Sequence, residues 1–174
     1  MFPELFKYCP NLTSSMFSTN GVGFINDIIN YIILVRDTVP HKFRINLQFS
    51  YDGDYNTKNS RGINPDIILN NITLFIQEIN KIDLQHITVG VNFHNVIDSN
   101  IINYYAVRER SDELYKFLKN FSDLSERFIT LCTNPNVILN PFTPGLVNPY
   151  NASVEEGKNL AEFYKNCWEI GKDI

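Results

Sequence analysis

The chain has 174 residues, of which 44% are hydrophobic and 20% are charged, and its formal net charge is −4. These values are typical of one globular domain, residues 1–174, and the scattered lysines and arginines disfavour nucleic acid as a partner. No apolar run approaches the roughly 20 residues of a membrane span, no signal peptide is predicted, and three separated cysteines favour a reducing, cytoplasmic location over a disulfide framework.

The first elements in chain order are a short strand over residues 13–19 and a helix over residues 23–38, in which isoleucines recur at helical spacing. A second strand follows over residues 43–51. Its odd-numbered positions are apolar and its even-numbered positions are polar. Because successive side chains of a strand point to opposite faces, this strand is predicted to have one buried and one polar face.

A polar loop is predicted over residues 52–63, and its length for a strand-to-helix connection suggests a functional role. Asn64-Pro65-Asp66 reads as an N-cap, a proline at the first helical position and an acid in the first turn, so a helix is predicted from there to about residue 81. The buried face of this helix is predicted to carry Ile68, Ile72, Phe75 and Ile79. The next strand, over residues 86–94, repeats the alternation of apolar and polar positions.

The remaining elements are predicted from one helical stripe, one apolar run and one capping motif. A helix begins at Ser111, and a fourth strand over residues 128–133 includes Cys132. Residues 134–151 read as a connection rich in Pro and Asn. A capping box at Ser153 opens the last helix. The apolar stripe of that helix is predicted to comprise Leu160, Ala161, Tyr164 and Trp168.

Strands that alternate with helices predict an α/β fold with a parallel sheet. Parallel strands that are covered on both faces read as continuous apolar runs, whereas two strands here have one polar face each. The pattern therefore favours a partial (βα) barrel with parallel strands, outer helices and a polar lumen face. An α+β sheet with one solvated face is the alternative.

Ser50 and Asp52 stand at the carboxyl end of the second strand, where parallel α/β folds bind their ligands. A hydroxyl and a carboxylate at this spacing suit a ribose diol or an amino-acid head group. The alternative is that Asp52 and Gly53 only form a turn. Arg61, in the predicted loop, suits a carboxylate partner or is solvated.

Four other positions carry weaker signals. Thr19 and Asn20 occupy the equivalent end of the first strand, where they either contact a ligand or form a turn. Gly90, on the polar face of its strand, either lets a ligand approach the backbone or lies beneath a bulky neighbour. His94 has no predicted set of co-ligands, so no metal site is predicted.

Three segments of the chain match three consecutive strands of one protein family, in the same order. Residues 18–21, Ser-Thr-Asn-Gly, match the Thr-Asn-Gly that ends its third strand, and residues 48–53, Gln-Phe-Ser-Tyr-Asp-Gly, followed by Arg61-Gly62, match its fourth strand. Residues 89–97 match its fifth strand. In these segments, within about residues 8–165, the chain resembles the radical S-adenosylmethionine superfamily, in the branch of sulfatase-maturase-like and peptide-modifying enzymes.

This resemblance implies S-adenosylmethionine as the cofactor. It implies that Ser50 and Arg61 hold the methionine part and that Asp52 supports the turn or the ribose side. The full set of residues implied to contact the cofactor is Thr19, Asn20, Ser50, Asp52, Arg61 and Asn92.

The family's Cys-x3-Cys-x2-Cys loop and its Gly-Gly-Glu-Pro motif have no counterpart here, and the resemblance begins at the third strand. A [4Fe–4S] cluster is therefore expected only in a complete protein. The expectation is an incomplete radical S-adenosylmethionine enzyme core that binds part of the cofactor and is not catalytic alone, with a second polypeptide carrying the cluster-binding half. The alternatives are a non-catalytic half-barrel that pairs with a partner or with itself, and an unrelated small α/β enzyme using Asp52 and His94.

Overall fold

The structure is a computed structural model, and it describes residues 8–23, 25–146 and 153–174. Within these residues the sheet has four parallel strands, and their order in the sheet, β1-β2-β3-β4, is their order in the chain. The predicted α/β fold with a parallel sheet is therefore confirmed. The strands are β1 (Ser14–Thr19), β2 (Phe43–Ser50), β3 (Ile87–Ile97) and β4 (Val137–Leu146).

Helices cover one face of this sheet, and several begin where a side chain caps the first turn. The Asn64 side chain accepts a hydrogen bond from the Asp66 backbone N–H, as the sequence predicts, and the Ser153–Glu156 capping box is present. No helix in the described ranges combines the length and apolarity needed to cross a bilayer. The α-helices whose bounds lie in the described ranges are α1 (Ile25–Thr38), α2 (Asp54–Arg61), α3 (Pro65–Ile79), α4 (Ser99–Tyr105), α5 (Ser111–Leu131) and α6 (Val154–Ile170).

The odd-numbered side chains of β2 and β3 form the core together with α1, α3 and α5. All of the odd-numbered positions of β2 are at most 2% exposed. The aromatic rings of Phe49 and Phe75 lie 5.6 Å apart, and those of Phe93 and Phe128 lie 5.2 Å apart, which ties the sheet to α3 and to α5. The predicted buried face of α3 is confirmed, because its four predicted residues are fully buried.

The even-numbered residues of the strands lie on the opposite face of the sheet, which we call the open face. Met16 of β1 is 63% exposed there and Ile138 of β4 is 45% exposed, whereas the side chains between them are largely half-buried. The polar face predicted for β2 and β3 is extended by Ser14 and Ser18 of β1 and by Asn140 of β4, whereas Met16 and Ile138 are apolar. The open face comprises Ser14, Met16, Ser18, Arg44, Asn46, Gln48, Ser50, Thr88, Gly90, Asn92, His94, Ile138 and Asn140.

The prediction of a loop over residues 52–63 is wrong, because most of these residues form α2. This helix has few apolar residues and therefore no helical stripe that a sequence pattern could reveal. It ends at Gly62, which adopts the left-handed conformation (φ 66°) and donates its backbone N–H to the Lys58 carbonyl oxygen. Arg61 is thus the last residue of a helix rather than a loop residue.

The prediction of a fourth strand over residues 128–133 is also wrong. The helix α5 continues to Leu131, and Cys132 follows it. A short apolar run fits a strand or a buried helix equally well, and here Phe128 packs on the sheet as a helical residue. The true fourth strand, β4, lies within the predicted connection over residues 134–151, of which residues 147–151 lie outside the described part of the chain.

The predicted apolar stripe of the last helix does not face the core. Trp168 is 71% exposed and Tyr164 is 47% exposed, whereas Phe163 is 1% exposed. The reason is that α6 packs against Ile97 and Ile101 near the carboxyl end of β3, and Phe163 points into that second cluster. The helix α4, which was not predicted, supplies part of this contact.

Candidate functional site

A row of polar side chains crosses the open face at one level. The Ser18 hydroxyl lies 3.5 Å from the Gln48 amide oxygen, to which it donates. Gln48 and Asn92 are direct neighbours in the β2–β3 register, and the Asn140 amide donates to the Asn92 oxygen over 2.7 Å. Four adjacent strands thus each contribute one polar side chain, and we call this set the polar row.

Ser50 and His94 lie one pleat further toward the carboxyl ends of their strands. They are partners in the β2–β3 register and both are half-buried. The backbone N–H of Tyr51 donates to the His94 carbonyl oxygen over 2.9 Å, which extends the pairing beyond the end of β2. A hydroxyl and an imidazole therefore stand above the polar row, at the end of the sheet where parallel α/β folds bind ligands.

Asp52 is buried at the turn that leads into α2, with 5% of its surface exposed. Its backbone N–H donates to the Thr57 hydroxyl over 3.1 Å, and the Thr57 N–H donates to the Gly53 carbonyl oxygen over 2.9 Å. Gly53 has φ 84°, a conformation that L side chains rarely adopt. These contacts fit the alternative that Asp52 and Gly53 form a turn, and they hold Asp52 next to the end of β2.

Tyr51 points to the side opposite Ser50, into the core. The ring is fully buried, and its hydroxyl donates to an Asp54 carboxylate oxygen. Burial of the phenol, followed by the nearby Asp54 charge, raises the pKa of Tyr51 well above its ordinary value. Tyr51 therefore remains protonated at neutral pH and anchors the first turn of α2.

Thr19 and Asn20 form the turn after β1. The Thr19 hydroxyl accepts from the Gly21 N–H over 3.1 Å, and the Asn20 side-chain oxygen accepts from the Val22 N–H over 3.2 Å. Thr19 is the register partner of the core residue Phe49, so its side chain lies on the helix-covered side of the sheet. The structure consequently brings Ser50 and Asn92 onto one face and places Thr19 on the other.

Arg61 and Gly90 complete the predicted positions. The side chain of Arg61 lies outside the described part of the structure, and only its backbone, at the end of α2, is placed. A Cβ atom on Gly90 would lie 2.9 Å from the Asn46 side-chain oxygen and 3.3 Å from an Arg44 guanidinium nitrogen. Gly90 thus lies beneath Arg44, as the packing alternative predicts, rather than beneath a gap that a ligand could enter.

The cysteines are far apart in the fold. Cys9 is exposed before β1, Cys132 follows α5 beside the start of β4, and Cys167 lies on α6 near the end of β3. Burial raises the pKa of Cys167 to about 11. A [4Fe–4S] cluster requires converging thiolates, so these three cysteines do not fit one. The described residues contain no group of three His, Cys, Asp or Glu side chains that suits a metal ion.

Sequence reasoning missed Asn140, which completes the polar row. The fourth strand was predicted over residues 128–133 instead of Val137–Leu146, so Asn140 was assigned to a connection. The signal that could have found it is the run Val137-Ile138-Leu139-Asn140, which is apolar at three positions and polar at the fourth. That pattern is weak, because an Asn next to a proline also fits a turn.

No family model, curated protein or solved structure matches this chain. The resemblance to the radical S-adenosylmethionine superfamily therefore stays a prediction that depends on the residues quoted for it.

Proposed function

We propose that this chain is a partial (βα) barrel whose open face binds the amino-acid part of S-adenosylmethionine. The observation that carries the proposal is the polar row, with Ser50 and His94 above it at the carboxyl ends of β2 and β3. In βα barrels the strands follow one another in chain order with helices outside, whereas doubly wound sheets reverse their order. The strand order β1-β2-β3-β4 agrees with the barrel arrangement.

The ligand part of the proposal follows from the chemistry of the open face. An amino-acid head group has one cation and one anion, and it needs both hydrogen-bond acceptors and donors. The Ser50 hydroxyl supplies one of each, and amides of the polar row supply more. Because Asn140 orients the Asn92 amide, Asn92 is a preorganised partner rather than a mobile surface side chain.

In this proposal the chain is an incomplete enzyme core and does not catalyse a radical reaction alone. Its own cysteines do not fit an iron–sulfur cluster, so we assign the cluster to a second polypeptide that covers the open face. That polypeptide would complete the barrel and would enclose the cofactor between the two halves. Co-expression of such a pair should yield one complex that contains iron; two separate proteins would contradict this part of the proposal.

Titration calorimetry with S-adenosylmethionine tests the binding site directly. We expect Ser50→Ala to weaken binding by about fivefold, the equivalent of one hydrogen bond of about 1 kcal/mol. The matched control is Ser14→Ala, which removes a hydroxyl from the open face at the opposite end of the sheet and should leave affinity unchanged. The proposal would be refuted if the wild type did not bind S-adenosylmethionine, or if wild type and Ser50→Ala bound it with equal affinity.

A second candidate function is a half-barrel interaction module without a cofactor. It is favoured by the exposure of Met16 and Ile138 on the open face, because exposed apolar side chains on a sheet with two strand edges promote association. Light scattering over a range of concentrations separates the two candidates. Self-association that Met16→Lys abolishes, together with no cofactor binding, would support the module; a monomer at high concentration would exclude self-association.

A further inference from the structure

A cavity lies on the helix-covered side of the sheet, between α5 and α6 and beside the carboxyl end of β3. Its volume is about 380 Å³, and its wall is mostly aromatic and aliphatic. It is separate from the open face, because its β3 residues, Asn95 and Ile97, are odd-numbered and lie on the helix-covered side of the sheet. Its principal lining residues are Asn95, Phe117, Phe121, Ser125, Phe163 and Cys167.

Asn95 is the unusual member of this wall. Its side chain is 4% exposed, and its amide oxygen is buried without a hydrogen-bond partner among the residues that the structure describes. The nearby Ser125 hydroxyl donates its proton to the Phe121 carbonyl oxygen over 2.8 Å, so that proton is already used. Buried polar atoms in proteins nearly always have partners, and an acceptor that lacks one next to a cavity indicates a missing donor.

We propose that this cavity binds a small, mainly apolar molecule with one hydrogen-bond donor, such as a phenol or an indole, and that the Asn95 side chain turns toward it. The amide oxygen, which is buried against the cavity wall, then accepts from the donor of the bound molecule. An apolar cavity of about 150 Å³ already holds benzene, so the space admits a ring with a substituent. The described lining residues include no Asp, Glu, Lys, Arg or His. A charged ligand is therefore disfavoured, since nothing in this wall would offset the loss of its hydration.

The thiol of Cys167 reports on the same cavity. Because burial raises its pKa to about 11, the thiol is neutral at pH 7 and does not attract an anion. It faces the cavity together with Asn95, so a bound molecule should shield it from an alkylating reagent. This gives the proposal a readout that identifies where a ligand binds.

The first test compares phenol with anisole, its methyl ether, which has no hydrogen-bond donor. Dissociation constants for both probes are measured by NMR titration on the wild type and on Asn95→Leu. For each protein, the preference for phenol is the dissociation constant of anisole divided by that of phenol. The cost of transferring each probe from water is the same for both proteins, so comparing the two preferences isolates the contribution of the hydrogen bond. We expect the preference for phenol to fall about tenfold in Asn95→Leu, the equivalent of about 1.4 kcal/mol. An unchanged preference, or no binding of phenol, would overturn the proposal.

The second test does not depend on Asn95→Leu being folded. In a protein with Cys9→Ser and Cys132→Ser, phenol should slow the alkylation of Cys167 severalfold at a saturating concentration. Ser122→Trp places a large ring at the exposed edge of the cavity wall and should abolish that protection. Phenol that binds without protecting Cys167, or that binds Ser122→Trp equally well, would place the ligand elsewhere and refute the assignment.

Discussion

Replacing Asn134 by Ala should strongly destabilise the protein, because its side chain holds together several segments near the amino-terminal end of the sheet. Asn134 is 9% exposed, and its side chain joins the end of α3 to the start of β4. Its amide nitrogen donates to the carbonyl oxygens of Ile79, over 2.8 Å, and of Ile82, over 2.9 Å. Its oxygen accepts from the Asn136 N–H over 3.1 Å.

The magnitude follows from these three bonds. A hydrogen bond inside a protein contributes about 1 kcal/mol net, so their loss should lower the free energy of unfolding by about 3 kcal/mol. The Ile79 carbonyl oxygen loses the Asn134 amide as a donor but still accepts from the Ile82 backbone N–H over 3.2 Å. The effect should therefore be close to the sum of the three bonds.

Urea unfolding followed by circular dichroism measures the difference at constant denaturant slope. The matched control is Asn136→Ala, which removes a single side-chain bond of 3.2 Å to the Gln85 carbonyl oxygen at the surface and should change stability by less than about 1 kcal/mol. A loss below about 1 kcal/mol for Asn134→Ala, or equal losses for the two variants, would refute the reasoning.

Two further outcomes are expected. Gly53→Ala should lower the free energy of unfolding by about 2 kcal/mol, because φ is 84° there and a Cβ atom would lie 3.3 Å from the Phe117 ring. Gly157→Ala, in a helix where a Cβ atom meets open space, should raise the free energy of unfolding by about 0.5–1 kcal/mol. Thermal unfolding compares the two variants. Burial raises the pKa of Tyr31 to about 12, so its contribution to stability is present below pH 10 and is lost as the pH rises toward 12. Tyr31→Phe should therefore make the alkaline decline in urea midpoint shallower, and an identical decline would contradict that origin.

The local sequence pattern was sufficient for the central elements. The alternation of β2 and β3 and the capping signals at Asn64 and Ser153 are all borne out by the structure. These signals are local, because a strand with one buried face must alternate and an N-cap acts within one turn. The predicted polar face is present for the same reason.

The errors arose where packing decides between two conformations. Phe128, Ile129 and Leu131 are apolar and carry no signal that separates a strand from the end of a helix, and the contact of Phe128 with the sheet selected the helix. The polar helix α2 has no apolar stripe, so its sequence reads as a loop. In the structure the helix is held by the buried Thr57 and ends at the left-handed cap Gly62. The stripe of α6 was misassigned because the neighbouring cluster around Phe163 determines which side is buried.

The sequence by itself determined the alternation of strands and helices, the two faces of β2 and β3, and the position of Ser50 at a carboxyl end. Only the tertiary structure decided that Ser50 and Asn92 share a face from which Thr19 is excluded, and that Asn140 completes the polar row. The physical reason is that alternation is a property of one strand, whereas the register between strands depends on the packing of distant residues. The buried, unpartnered oxygen of Asn95 is a consequence of the same packing, and no local pattern announces it.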